Sequence, residues 1–162
     1  GRLIDEGIGL VRVANEEINP VIQPKTVEQT YDVHLSGDLP IYRVVLDLED
    51  TSGKIHEFKT TARTPSSIDP SYLLQGASYF LATGSQEVSY DFVVKTKTPK
   101  SKIIPHIFTD EDKRYVLGIV RGVDAAIRGG VFLPNRSSFL CSRKHCGYHE
   151  KCTSLWGGEV RP

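Results

Sequence analysis

The chain has 162 residues, 39% of them hydrophobic, which suffices for one domain with a core of its own. Its 20 Lys and Arg offset 20 Asp and Glu, so no overall basic field marks a nucleic-acid binder, and an anionic partner has to be held by local patches. No apolar run approaches the roughly 18 residues that span a bilayer and no charged-then-apolar leader opens the chain, so the expectation is a soluble, cytoplasmic protein with no membrane partner. The chain opens on Gly1 and contains no methionine, and so reads as N-terminally incomplete.

Residues 1 to 20 carry no decisive pattern. "TVEQTYDVHL" and "IYRVVLDLED" are rich in β-branched and aromatic residues with partial alternation and read as strands, followed by a third in "KIHEFKT". After the turn-rich "ARTPSSIDP", the stretch "SYLLQGASYFLATG" spaces Leu73, Ala77, Phe80 and Leu81 as a helix does, with Gly84 placed to end it. "VSYDFVVKTK" returns to strand character. "TDEDKRYVLGIVRGVDAAIRGG" opens with acids and aligns Val116, Ile119, Val120, Val123 and Ile127 on one helical face. From Val131 to residue 162 the chain reads as an irregular, cysteine-bearing tail. There is no internal repeat or convincing linker, and the order of elements implies a single α/β domain over residues 1–162.

The segment "VVLDLEDTSGKIHEFKTT" places acids and a lysine in a half-apolar hairpin. If Thr51, Ser52 and Gly53 form a three-residue loop with Gly53 left-handed, Asp50 pairs with Lys54 and Asp47 lies opposite Glu57. Strand alternation then puts Lys59 on the face of Glu57 and sends Leu46, Leu48 and Phe58 to the other side. Two carboxylates held close repel, and a hard divalent cation removes that penalty. Mg²⁺ prefers one or two carboxylates together with waters and phosphate oxygens, so Asp47 and Glu57 are candidate ligands. Lys59 is placed to orient or deprotonate an attacking water, or to offset charge developing on a phosphate. An ordinary cross-strand ion pair on a solvated sheet is the bland alternative.

The pattern D-x₉-E-x-K on a hairpin, followed by a helix carrying Q-x-x-x-Y as Gln75 and Tyr79, resembles the PD-(D/E)XK nuclease superfamily and its RecB-type and phage-type exonuclease branch. "PKTVEQTYDV", "VVKTKTPK" and "FLCSRKHCGYHEKC" follow the same order. The resemblance implies a restriction-endonuclease-like core with a mixed central sheet flanked by helices. It also implies metal ligation by Asp47 and Glu57, a catalytic role for Lys59, and a supporting or phosphate-contacting role for Gln75 and Tyr79. Glu28 sits where the branch often carries a further acidic ligand, a solvated strand glutamate being the alternative. The chain reads R-V-V-L-D where the branch commonly has a glycine a few residues before the aspartate, and residues 1 to 20 hold no candidate metal-binding His.

Cys141, Cys146 and Cys152, with His145 and His149 between them, form an odd set that argues against a disulfide framework. The resemblance implies a [4Fe–4S] cluster in the intact protein, completed by a fourth cysteine that this chain lacks. Cys141, Cys146, His149 and Cys152 also have the ligand types of a local zinc site, and free thiols in a loop are the remaining reading. Lys95, Lys97, Lys100 and Lys102 supply positive charge within eight residues, with Lys95 and Lys97 expected on one strand face, fit to grip phosphates without reading sequence.

The functional expectation is a Mg²⁺- or Mn²⁺-dependent DNA exonuclease acting on linear or single-stranded ends in recombination, repair or phage DNA processing, with a recombination protein as a possible partner. The alternative is a catalytically inactive nuclease-fold module for DNA binding or assembly.

Overall fold

A computed structural model describes residues 1–35, 37–136, 138 and 140–156, without the side chain of Arg2. The part of the expected tail at 137, 139 and 157–162 lies outside the described residues. The chain divides into two compact units, residues 1–120 and 121–162, each taken by itself below.

The first unit is built on a five-stranded mixed sheet in the order β1-β2-β3-β4-β5, with β1 (Pro24–Val33), β2 (Tyr42–Asp50), β3 (Ile55–Thr61), β4 (Glu87–Val94) and β5 (Lys100–Ile107). β3 and β4 are parallel, joined through helix α2 (Pro70–Thr83), and the other pairs are antiparallel. β4 is buried from Val88 to Val94, as expected for the strand with neighbours on both edges and cover on both faces. α2 starts where Asp69 accepts the Ser71 N–H at 2.8 Å with Pro70 following it, and ends at Gly84, whose φ of +80° is the left-handed cap that glycine adopts without strain.

Two apolar layers flank the sheet. On one face Val44, Leu46, Ile55, Val88, Tyr90 and Phe92 pack against Ala77, Tyr79 and Phe80 of α2 and Val116 of helix α3 (Asp110–Arg128). On the other, Leu48, Phe58 and Val93 pack against Leu10 and Val13 of helix α1 (Arg2–Val13), Ile18 of the π-helical turn that follows it, and Ile22. Each fully buried aliphatic or aromatic side chain contributes about 1.5–3 kcal/mol.

Four features depart from the sequence reading. The unpatterned N-terminus is helix α1, and "KSKIIPHI" forms a fifth strand. Lys95 and Lys97 lie in the loop between β4 and β5, so they share no strand face; Val94 is the last residue of β4 and pairs with Lys100. Leu46 and Leu48 do not share a side either. Side-chain alternation along β2 breaks at Asp47: Leu46 packs with α2, whereas Leu48 packs with Phe58 on the α1 side. The β1–β2 ladder pairs Val27 with Leu48 and Gln29 with Leu46 but has no pair at Glu28 and Asp47, and Glu28 has a φ of +50°. That is a strained conformation for a residue with a Cβ.

In the second unit, the expected irregular tail contains one further helix, α4 (His149–Trp156).

Candidate functional site

The hairpin closes as its sequence requires. Gly53 takes a φ of +87°, and the Asp50 N–H donates to the Lys54 carbonyl at 3.0 Å. The β2–β3 ladder then holds two pairs, Leu48 with His56 and Glu49 with Ile55. Continuing that register places Asp47 opposite Glu57. At that level the ladder stops: Asp47 Oδ2 accepts the Phe58 backbone N–H at 3.0 Å, a carboxylate taking the place of a strand carbonyl. β2 and β3 part beyond this point, and Asp47 stands half-buried at the fork.

Glu57, 1% exposed, lies on the α2 side. Its carboxylate accepts from Lys59 Nζ and from the Tyr79 hydroxyl, and from Gln75 Nε2 at 3.0 Å. Gln75 and Tyr79 stand one turn apart on α2 and are themselves bonded at 2.6 Å. Lys59 Nζ also donates to Gln75 Oε1 at 3.1 Å and sits 4.9 Å from the centre of the Tyr72 ring. Burial pushes the Tyr79 hydroxyl well above the usual phenol range, and its hydrogen bond to Glu57 and the negative charges of Glu57 and Asp47 push it the same way. Tyr79 is therefore a fixed donor near neutral pH. Tyr90 is raised by burial and by the charge of Glu57.

The structure thus gathers four of the expected residues, Glu57, Lys59, Gln75 and Tyr79, around one carboxylate, with Asp47 across the fork. Glu28 is exposed on β1, at the level of Asp47 where the β1–β2 ladder has no pair. Among the described residues no group of three or more His, Cys, Asp or Glu is arranged to hold a metal ion. Asp47 and Glu57 nevertheless fit Mg²⁺ or Mn²⁺, because such ions take one or two carboxylates and fill their shell with waters and substrate phosphate. Asp47 Oδ2 holds the Phe58 N–H, and its other oxygen takes no donor among the described residues.

The expected phosphate-contacting lysines separate into two pairs. Lys59 pairs with Phe92 and Phe92 with Lys102, and opposed residues share a face, so Lys102 lies on the Lys59 side about 10 Å away, two strand spacings. Lys100 follows the same alternation. Lys95 and Lys97 instead line a groove of about 900 Å³ together with Asp5 and Glu6 of α1.

On the reverse face of β3 the structure shows a cluster that the sequence reading missed. His56, 6% exposed, bonds Asp91 Oδ2 through Nδ1 at 2.7 Å and meets Asp50 Oδ2 through Nε2 at 3.4 Å. Burial alone would push His56 down; hydrogen bonding and charge from Asp91, then from Asp50, outweigh it and hold it up. Burial would likewise push Asp50 up, but donors from Ser52, Lys54 and His56 hold it down. The signal lay in "SYDFVV", where an acid interrupts the most apolar strand of the chain.

In the second unit, Cys141, Cys146, Cys152 and His149 line a cavity of about 210 Å³; among the described residues all three thiols are free and the buried His149 Nδ1 has no hydrogen-bond partner. A [4Fe–4S] cluster takes four thiolates, and three do not fit it. The donor types suit zinc, but among the described residues they do not converge on one point.

No family model matches the chain, and no curated protein matches it. Among solved structures, a provisionally named exonuclease from Eubacterium rectale superposes with a TM-score of 0.60 at 15% identity, over 96% of this chain and 66% of that one. This chain therefore spans just under two thirds of that protein's length. A second structure, of SSO0001, has a TM-score of 0.45 at 14% identity, over 75% of this chain and 55% of its own. At 15% identity, the first likeness shows a shared α/β, nuclease-like fold.

Proposed function

We propose that the chain is the nuclease module of a Mg²⁺- or Mn²⁺-dependent DNA exonuclease of the PD-(D/E)XK type, hydrolysing phosphodiester bonds at linear or single-stranded ends in recombination, repair or phage DNA processing. The observation that carries the reading is the fork itself. Asp47 ends the β2–β3 ladder through its own carboxylate, and Glu57, Lys59, Gln75 and Tyr79 are bonded together where the strands part.

In this reading Asp47 and Glu57 hold the cation, which supplies electrophilic activation of the phosphate and of the attacking water. Gln75 and Tyr79 keep the Glu57 carboxylate aimed, because both donors come from one rigid helix. Lys59 is paired to Glu57 in the free chain. With that carboxylate engaged by a cation, the Lys59 ammonium would be left to offset the charge developing on the phosphate or to orient the attacking water by donating to its oxygen. Lys102, with Lys100 beside it, extends positive charge across the same face to neighbouring phosphates.

A second reading, a catalytically silent nuclease-fold module that binds DNA or an assembly partner, draws on the three protein donors that already engage Glu57. Titration with Mn²⁺ and digestion of linear DNA separate the two. The enzyme reading expects binding that Asp47→Ala abolishes, and a Lys59→Ala variant that binds Mn²⁺ as the parent does while cleaving nothing. Mn²⁺ binding indifferent to Asp47 and Glu57 would select the silent module.

A further inference from the structure

β3 carries both Glu57 and Lys59, yet it is held unevenly. On one edge it pairs with β4 along its whole length, Ile55 to Thr61 against Val88 to Val94. On the other, the ladder to β2 ends after His56, and beyond it the carboxylate of Asp47 reaches across to the Phe58 N–H. Because side chains alternate with a period of two, a slip of one residue along β4 would turn Glu57 and Lys59 away from α2. Something has to fix this strand in register and in its distance from β2.

The buried His56 cluster stands at that place. In the parallel ladder His56 faces Ser89 and Phe58 faces Asp91, so the bond from His56 Nδ1 to Asp91 is diagonal and resists sliding of β3 along β4. Through Nε2 the same ring reaches Asp50, at the turn end of β2. Neither carboxylate has slack: Ser89 Oγ holds Asp91 Oδ1 at 2.6 Å, and Asp50 Oδ1 accepts from Ser52 N, Ser52 Oγ and Lys54 N at 2.8, 2.6 and 3.0 Å. Two carboxylates and an imidazole, each no more than 9% exposed, are a costly way to fill space, since well-packed apolar residues in place of a buried ionic cluster are often neutral or stabilising. Fixing register is the best-attested use of such a cluster.

We propose that His56 is the positioning residue of the site: pinned between Asp91 and Asp50 on the reverse face, it sets where β3 presents Glu57 and Lys59. For the task of those two side chains the inference rests on the functional reading above; for their placement it rests on the geometry alone.

The test uses the whole chain in two variants. His56→Leu with Asp91→Leu exchanges the ionic pair for apolar bulk, and His56→Asn offers an amide in the place of Nδ1 that keeps the Asp91 link. Amide hydrogen exchange is followed at Phe58, whose N–H reports the reach of Asp47 directly, together with kcat and KM on linear DNA with Mn²⁺. The double variant should fold cooperatively, exchange Phe58 about tenfold faster or more, and lose about 100-fold in kcat, as misplacement by an ångström does, with KM within about threefold. His56→Asn should restore slow exchange and most of kcat. Parental exchange and kcat in the folded double variant, with only the melting temperature changed, would overturn the proposal by leaving His56 a purely structural role. If the double variant does not fold, His56→Leu alone is compared with His56→Asn, and equal Phe58 exchange in the two overturns it. If the parent chain cleaves nothing, the functional reading fails and the exchange comparison still decides the placement.

Discussion

Replacing Glu57 with Gln removes one charge from the centre of the cluster while keeping its shape. Glu57 takes three donors, from Lys59, Gln75 and Tyr79. A Gln oxygen can keep the Lys59 and Gln75 contacts as neutral-acceptor bonds, and the Tyr79 hydroxyl can turn to accept from the new amide. Each bond that ceases to be charge-assisted loses about 1 kcal/mol. Two such losses give about 2 kcal/mol, with Lys59, 20% exposed, free to turn part of its charge to water. For a chain of this size about 2 kcal/mol lowers the melting temperature by roughly 4–8 °C. The effect on cation binding is larger. Outer-shell changes alone cost about 10–100-fold in metal affinity, so loss of one of two carboxylate ligands should cost at least about 100-fold. The assays are thermal unfolding and calorimetric Mn²⁺ titration on the same preparation. A Glu57→Gln chain that melts a few degrees lower but binds Mn²⁺ and cleaves DNA like the parent would refute the assignment of Glu57.

Three further outcomes follow from particular contacts. Gly76 has no room for a side chain, since a Cβ there would stand 2.2 Å from the Tyr90 hydroxyl and 2.7 Å from the Phe108 ring; Gly76→Ala should cost about 1–3 kcal/mol in denaturant unfolding, and a neutral substitution would mean that α2 packs differently. Lys102→Ala should reduce the slope of log binding constant against log salt for DNA by about 1 without altering Mn²⁺ affinity, whereas Lys97→Ala should barely change it; equal slopes for the two would remove Lys102 from the phosphate track. Asp112 caps α3 by accepting from Thr109 N at 2.7 Å and Thr109 Oγ1 at 2.8 Å, which holds its carboxyl below the ordinary aspartate value. A carboxyl depressed in the folded state contributes stability above its unfolded pKa and loses it as pH falls through the folded one. The gap between parent and Asp112→Ala, about 1 kcal/mol or less at pH 7, should therefore close as pH falls below the ordinary aspartate range, and a gap unchanged in acid would contradict the cap.

Much of the site was legible because hairpin geometry is local. Gly53 fixes the loop, the loop fixes the register, and the register puts Asp47 opposite Glu57 with Lys59 two residues on. Gln75 and Tyr79 were picked out by the Q-x-x-x-Y resemblance, and the single helical turn between them lets both face Glu57. What escaped depended on neighbours distant in the chain. The face change at Asp47 arises where β1 lacks a pair at Glu28, which the pattern of β2 cannot report. The Lys95 and Lys97 error was one of boundary, since "VVKTKTPK" continues the look of a strand past Val94 although the chain is already turning. Helix α1 was missed although Ile4, Ile8 and Val11 recur at helical spacing, since Gly7 and Gly9, poor helix formers, interrupt it. His56 went unremarked in the sequence because its partner Asp91 lies 35 positions away.

The central claim is that Asp47 and Glu57 at the strand fork serve phosphodiester hydrolysis, and end-labelled linear duplex and single-stranded DNA incubated with the chain test it directly. The account predicts degradation with Mg²⁺ or Mn²⁺ and none with chelator, proceeding from ends so that closed circular DNA survives, and abolished in Asp47→Ala. Degradation that persists in Asp47→Ala, or intact DNA under every metal while the protein binds Mn²⁺ through neither carboxylate, would contradict it.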